Sequence, residues 1–231
     1  MPEHPLCFTT DTFRFLRQLE NNNNRAWFNE NKQRYEDLIR SPSLKFIEEM
    51  GNELPSLSPR FRAIPKKVGG SLMRVYRDIR YSKDKTPYKI NIGINFRHEA
   101  AKDVHAPGYF VHISNSQCFI GLGIWRPESQ TLKQIRECLD HNPRAWLAAK
   151  NEKSFSDTYR LGGNSLITQP RGYDKDHPLI EDLRRKDFIA ICDLEKSMII
   201  SDDLVERSIE TFSKATSFMR YLCYAVEMPF D

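Results

Sequence analysis

Apolar positions recur every three or four residues in the first quarter of the chain, alternate with polar ones in the middle, and return to helical spacing at the end. Phe13, Leu16 and Leu19 predict a helix over residues 10–20, capped by Thr10 or Asp11. Four asparagines, Asn21 to Asn24, break it, because asparagine tolerates left-handed backbone and caps helices. Trp27, Phe28, Tyr35, Leu38 and Ile39 predict a second helix from about Arg25 to Arg40. Ser41-Pro42 reads as an N-cap followed by proline at the first helical position. The third helix it opens carries Leu44, Ile47, Met50 and Leu54, and Pro55 and Pro59 end it.

The period then changes. Residues 60–68 predict a strand that Pro65 confines to a sheet edge. Met73 and Val75 alternate with Arg74 and Tyr76, which predicts a strand to about Arg77 and a loop through Pro87. A second strand follows, with Ile90, Ile92, Ile94 and Phe96 on one face and Asn91, Gly93, Asn95 and Arg97 on the other. Residues 98–107 form a polar loop. Tyr109–Ile113 and Cys118–Trp125 are strands joined so tightly at Asn115-Ser116 that they must run antiparallel. Gly121 and Gly123 share a face, so a helix, another backbone or a ligand approaches closely there.

Pro127 opens a helix to about His141, with Leu132, Ile135 and Leu139 as its stripe, and Asn142-Pro143 opens a shorter one carrying Trp146 and Leu147. Residues 151–176 read as irregular. His177-Pro178 starts a short helix, Phe188–Asp193 a strand, and Asp202–Val226 one long amphipathic helix capped by Ser201 or Asp203. Helices at both ends around strands in the middle predict one α+β domain over residues 1–231, with its core at about 10–226. Its central sheet should be antiparallel or mixed.

Composition narrows the class. At 231 residues and 39% hydrophobic content, with fourteen Phe, nine Tyr and three Trp, the chain can build a substantial core. Five scattered cysteines with no CxxC pair predict free thiols in a reducing compartment. The N-terminus lacks a basic region followed by an apolar run, and no stretch approaches eighteen apolar residues, so the expectation is a soluble, cytoplasmic protein. No phosphate-binding loop, dinucleotide fingerprint, nucleophile elbow or His-Glu-x-x-His is present. His98, His105 and His112 are seven apart, which on strand and loop gives no shared face, so no metal site and no cofactor are expected.

Charge singles out one stretch. Between Arg74 and Lys89 lie Arg74, Arg77, Arg80, Lys83, Lys85 and Lys89, against Asp78 and Asp84. That excess of +4 equals the net charge of the whole chain, so the remainder sums to zero. Three readings stay open. The cations bind a small phosphate- or carboxylate-bearing ligand, for which guanidinium forks are suited, with Asp78 as an orienting group or base. With Tyr76, Tyr81 and Tyr88 they form a surface for single-stranded nucleic acid. Or they satisfy one another as an internal ion network in a non-catalytic interaction domain. Arg171, Tyr173, Asp174, Asp176 and His177 form a companion cluster, in which Arg171 adds a cation and His177 is an acid–base candidate or simply a helix cap.

The motifs Asn23-Asn24-Arg25-x-Trp27-Phe28 and Asn31-Lys32, the run from Arg74 to Lys89, Pro107-Gly108-Tyr109, Gly121-x-Gly123-x-Trp125-x-Pro127 and Pro170-Arg171-Gly172-Tyr173 with His177-Pro178 resemble a bacterial and fungal family known as domain of unknown function 2461. The resemblance runs from about Phe13 to Leu222. It implies a single domain and carries over no catalytic residue.

Overall fold

The computed structural model describes residues 7–102 and 105–231. Helix α1 (Thr10–Asn21) is capped by Thr9, one residue before the predicted cap. Thr9 Oγ1 accepts from the Asp11 amide (3.2 Å) while Thr12 Oγ1 accepts from the Thr9 amide (3.2 Å). The single helix expected from Arg25 to Arg40 is interrupted at Asn31. There α2 (Arg25–Glu30) ends, and Asn31 Nδ2 donates to the Trp27 carbonyl (2.9 Å).

The predicted boundary at Ser41-Pro42 is absent. Helix α3 (Lys32–Tyr35) runs through a wide π turn at Glu36–Arg40 into α4 (Ser41–Glu53). Proline has no N–H for the Leu38 carbonyl. The chain widens one turn ahead of it, where the Ser41 amide donates to the Glu36 carbonyl, and so continues without breaking.

The sheet is antiparallel throughout, in the order β1-β2-β3-β4-β6-β5. Its strands are β1 (Phe61–Arg62), β2 (Asn91–His98), β3 (Gly108–Ser114), β4 (Cys118–Ile124), β5 (Arg160–Gly162) and β6 (Phe188–Leu194). The predicted edge strand over 60–68 contracts to the two residues of β1. The stretch read as irregular contains both α7 (Lys153–Ser156) and β5. Strand β5 is three residues long, ends in glycine and shows no alternation for a sequence pattern to reveal. The loop predicted over 98–107 lies partly outside the described residues.

Between β4 and β6 lie α5 (Ser129–His141), α6 (Pro143–Asn151) and α8 (Ile180–Leu183). After β6 come α9 (Lys196–Ile199), α10 (Leu204–Ser213) and α11 (Thr216–Ala225). The one long C-terminal helix of the prediction is therefore two. Asp203 occupies the N-cap position of α10 without a side-chain hydrogen bond, and the break falls at Lys214 and the buried Ala215. The bend lets Phe212 meet Tyr109 of the sheet (ring centroids 4.7 Å apart) while Phe218 meets Trp146 (5.6 Å) and Phe155 (4.7 Å).

One sheet face carries Ile94, Phe96, Tyr109, Val111, Ile120, Ile124 and Phe188, all buried, and α4, α10 and α11 pack against the sheet. The opposite face presents Gly93, Asn95, Gly108, Phe110, His112, Phe119, Gly121, Gly123, Ile189 and Ile191, with the aromatic and branched residues only half-buried. The result is the expected α+β domain, with an antiparallel sheet packed by helices from both ends of the chain. Among the described residues no helix is long and apolar enough to cross a membrane.

Candidate functional site

The cationic stretch folds back on itself beside β2. The Met73 amide donates to the Gly93 carbonyl (2.9 Å), Lys89 to Val75 (2.7 Å) and Arg77 to Pro87 (2.9 Å), with isolated bridges at Leu72–Ile94 and Tyr76–Tyr88. The strand predicted to about Arg77 does not form: only isolated bridges hold this segment, while the loop through Pro87 and the second strand, β2, are as expected. Leu72, Val75 and Tyr88 are buried, while most of the cations stay outside.

The asparagine run anchors this hairpin. Asn23 Nδ2 donates to the Tyr88 carbonyl (2.9 Å) and the Tyr88 amide donates back to Asn23 Oδ1 (3.0 Å), so a side chain replaces a neighbouring strand. Phe28 stacks on Tyr88 at 4.0 Å between ring centroids. Asn24 caps α2, accepting from the Trp27 amide (3.0 Å). Two motifs more than forty residues apart in sequence thus form one unit, and Arg25 is brought to the hairpin's surface.

Inside the loop several charges are already matched. Arg77 reaches Asp84 and Thr86, and the Thr86 amide donates to Asp84 Oδ1 (2.9 Å). Arg80 forks onto Asp78 through Nε (3.0 Å) and Nη2 (2.7 Å). Lys85 Nζ donates to the Ile79 carbonyl (2.9 Å). The hydrogen bonds from Arg80 hold the Asp78 carboxyl down to about 2, and those from Arg77 and Thr86 do the same for Asp84. Asp78 is thereby kept ionised and is a weak base near neutral pH.

The other cations are differently placed. Among the described residues Arg25, Arg74, Lys83 and Lys89 have no carboxylate within ion-pair distance. Burial, with the nearby Arg74, pulls the Lys89 pKa below its ordinary value. Burial raises that of Tyr88, with Tyr76 adding to the shift.

Two adjoining hollows open here. One of about 430 Å3 is lined by Arg25, Asn29, Tyr76, Arg77, Ile79, Pro87 and Tyr88. A shallower one of about 580 Å3 lies over Asn23, Asn24, Lys85 and Thr86, with Asp84 in its wall.

Arg171 and His177 are not brought to these hollows. Their loop lies against α5, where His177 and Tyr173 are in edge contact and His177 Nε2 lies 3.1 Å from Asp140 Oδ1. Because His177 Nδ1 accepts the Leu179 amide (3.0 Å), the ring proton sits on Nε2 and is donated to Asp140. The histidine braces the turn before α8, and Arg171 is exposed beside it.

His98, His105 and His112 likewise sit apart. His98 bonds the Pro229 carbonyl (2.7 Å), His105 stacks on Trp125, and His112 stacks on Phe119.

Arg25 is the residue that sequence reading passed over, because the asparagine run looked like a helix junction alone. One sequence signal was available: Phe28 and Asn29, at the positions three and four residues on, offer it no carboxylate. Gly121 and Gly123 prove to be two cases. A Cβ on Gly123 (φ 112°) would come within 2.1 Å of the Phe188 carbonyl oxygen, so backbone packing requires glycine there. A Cβ on Gly121 would meet nothing nearer than 3.6 Å.

No curated protein matches the chain. The family model described as "Conserved hypothetical protein (DUF2461)" matches residues 11–221, which takes in the asparagine run, the hairpin and the sheet. By that match, the chain belongs to the conserved hypothetical protein family DUF2461.

Proposed function

We propose that the protein binds a small carboxylate- or phosphate-bearing molecule in the hollow between Arg25, Tyr76, Arg77 and Tyr88. The observation that carries this reading is Arg25. Its side chain lines a hollow of about 430 Å3 together with Arg77, no acidic residue lines that hollow, and Arg25 has no ion-pair partner among the described residues. A guanidinium left without a carboxylate offers a bidentate donor pair to an incoming oxyanion. Arg77, fixed by Asp84 and Thr86, is pre-positioned beside it, and fixed donors lose less freedom on binding. Arg74, Lys83 and Lys89 add attractive field from the same hairpin.

Calorimetric titration with inorganic phosphate and with citrate, at constant ionic strength, tests the reading. The intact protein should bind one of them, and Arg25→Gln should weaken binding about tenfold or more, the effect of losing a charged hydrogen bond of roughly 1.5–3 kcal/mol. Since Arg25 is exposed, its replacement should leave the melting temperature unchanged. Absence of heat with both anions, or equal affinity in Arg25→Gln, counts against the proposal.

A second reading is favoured by Tyr76 and Tyr81, 55% and 96% exposed on the same hairpin, which offer rings for bases to stack on. Oligothymidylate binding that falls steeply with salt, in proportion to the phosphates contacted, would select it over the small anion.

A further inference from the structure

The face of the sheet away from the helices holds a cavity of about 320 Å3. It is a separate place from the cationic hollows, although Met73 of the hairpin closes one side. Phe110, Phe119, Ile189, Ile191 and Trp125 supply the other walls. Its floor is bare backbone at Gly108, Gly121 and Gly123.

Gly121 needs no glycine for backbone reasons. It has no positive φ, and a methyl group there would make only ordinary contacts, 3.6 Å to the Phe119 ring and 3.7 Å to the Ala190 carbonyl oxygen. In the middle of a strand, where glycine costs stability, the missing side chain leaves open space. Two half-buried phenylalanines and two isoleucines border that space, on a face whose counterpart is sealed by α4, α10 and α11.

Polar groups in the lining are few. No charged side chain is among them. Asn95 and Trp125 are the lining side chains that can form hydrogen bonds. Asn95 Oδ1 is buried over Gly108 and has no partner. A half-turn of the amide exchanges its donor and acceptor ends, so one residue can meet either kind of polar edge. The volume lies at the lower end of the roughly 300–1,000 Å3 spanned by small-molecule sites, and an apolar lining with a few orienting polar groups is their usual chemistry.

We propose that this cavity binds a neutral, planar aromatic molecule of one or two rings. One ring face lies over the bare peptide at Gly121, the ring edges meet Phe110 and Phe119, and the polar edge is directed at Asn95. Flatness follows from the glycine floor, aromaticity from the rings around it, and neutrality from the uncharged lining.

Equilibrium dialysis of the full chain against 2-naphthol and naphthalene, which differ by one hydroxyl, tests this. The unmodified protein should bind both, 2-naphthol more tightly. Gly121→Leu, which fills the cavity, should abolish binding of both while its circular dichroism is unchanged. Should the leucine prevent folding, Gly121→Ala should weaken both compounds several-fold. Asn95→Leu should lose about tenfold toward 2-naphthol and little toward naphthalene.

The proposal is overturned if neither compound binds up to its solubility limit, or if the Gly121 variants bind as the unmodified protein does. Equal loss of both compounds in Asn95→Leu overturns the assigned orientation. A dimer that Gly121→Leu dissociates would show that a second copy of the chain closes this face, and would also overturn it.

Discussion

Two ionic clusters built from the same residue types behave oppositely. Around Asp182, only 5% exposed, the Trp146 indole N–H (2.8 Å), the Lys150 ammonium (2.6 Å) and Arg185 (3.4 Å) converge on one carboxylate. Arg185 also donates to the Gly162 carbonyl (3.2 Å), so the cluster ties α6, α8 and β5 together. In the hairpin, six cations face two aspartates, both aspartates are exposed, and each is taken by one arginine. The first cluster is interior and fully satisfied. The second is superficial, apart from the half-buried Lys89, and leaves Arg74, Lys83 and Lys89, with Arg25 nearby, unmatched. Burial without a partner is costly, which forces the first to balance its charges. Exposure removes that constraint, so surplus charge at the surface is free to serve binding.

The largest effect should come from breaking the interior cluster. Asp182→Ala leaves the buried indole donor and the mostly covered Lys150 ammonium without an acceptor, and leaves Arg185 only the Gly162 carbonyl. A loss of about 3–5 kcal/mol follows, which for a chain of this length lowers the melting temperature by roughly 6–20 °C. Arg80→Ala, which removes an equally well-formed but exposed pair, should leave the melt where it is. Differential scanning calorimetry of the two variants side by side checks the contrast. A comparable drop in both would mean that burial does not divide them.

Next in size is the clamp between the asparagine run and the hairpin. Asn23→Ala removes two hydrogen bonds to the Tyr88 backbone, part-buried and spanning 65 residues, at a cost of about 1–2 kcal/mol. Because the same contact holds Tyr88 beside Arg25, anion affinity should fall as well. Asn24→Ala, which removes only the α2 cap, should cost about 1 kcal/mol of stability and change affinity less. Parallel unfolding and phosphate titrations separate the two asparagines. Equal affinity in Asn23→Ala and the unmodified protein would detach the clamp from the hollow.

What could be read in the sequence follows the range of the physics involved. The strands β2, β3 and β4 were legible because alternation is a local pattern and each has seven or eight residues to display it. The surplus charge of the hairpin was legible by counting. The break in the C-terminal helix was not, because both halves are amphipathic and the bend at Lys214-Ala215 is set by where Tyr109 and Trp146 lie. Nor was the placement of Arg25 at the hollow, which depends on Asn23 finding Tyr88 across 65 residues. Gly121 and Gly123 look alike in sequence, and only the position of the Phe188 carbonyl separates the glycine that packing demands from the one that opens a cavity.

The smallest expected effect concerns acid. Asp84 titrates at about 2 in the folded hairpin against an ordinary 3.8, owing first to its bond with Arg77 and then to those with Thr86. A carboxylate whose folded pKa is depressed adds stability that is fully present above the unfolded value and disappears as pH falls through the folded one. The hairpin should therefore stay locked above about pH 4 and loosen progressively toward pH 2. Asp78, held at about 2 by Arg80, follows the same course. Both groups are exposed, so the change is local and is weakened further by salt. The Thr86 amide, which donates to Asp84, is the reporter. Its exchange with solvent, followed by NMR from pH 5 to pH 2, should rise relative to the β3–β4 amides once the intrinsic pH dependence of exchange is removed. Asp84→Asn should flatten that response, since the amide side chain cannot titrate. A Thr86 amide equally protected at both ends of the range would place the lock elsewhere, in the backbone bonds between Arg77 and Pro87 and between Lys89 and Val75.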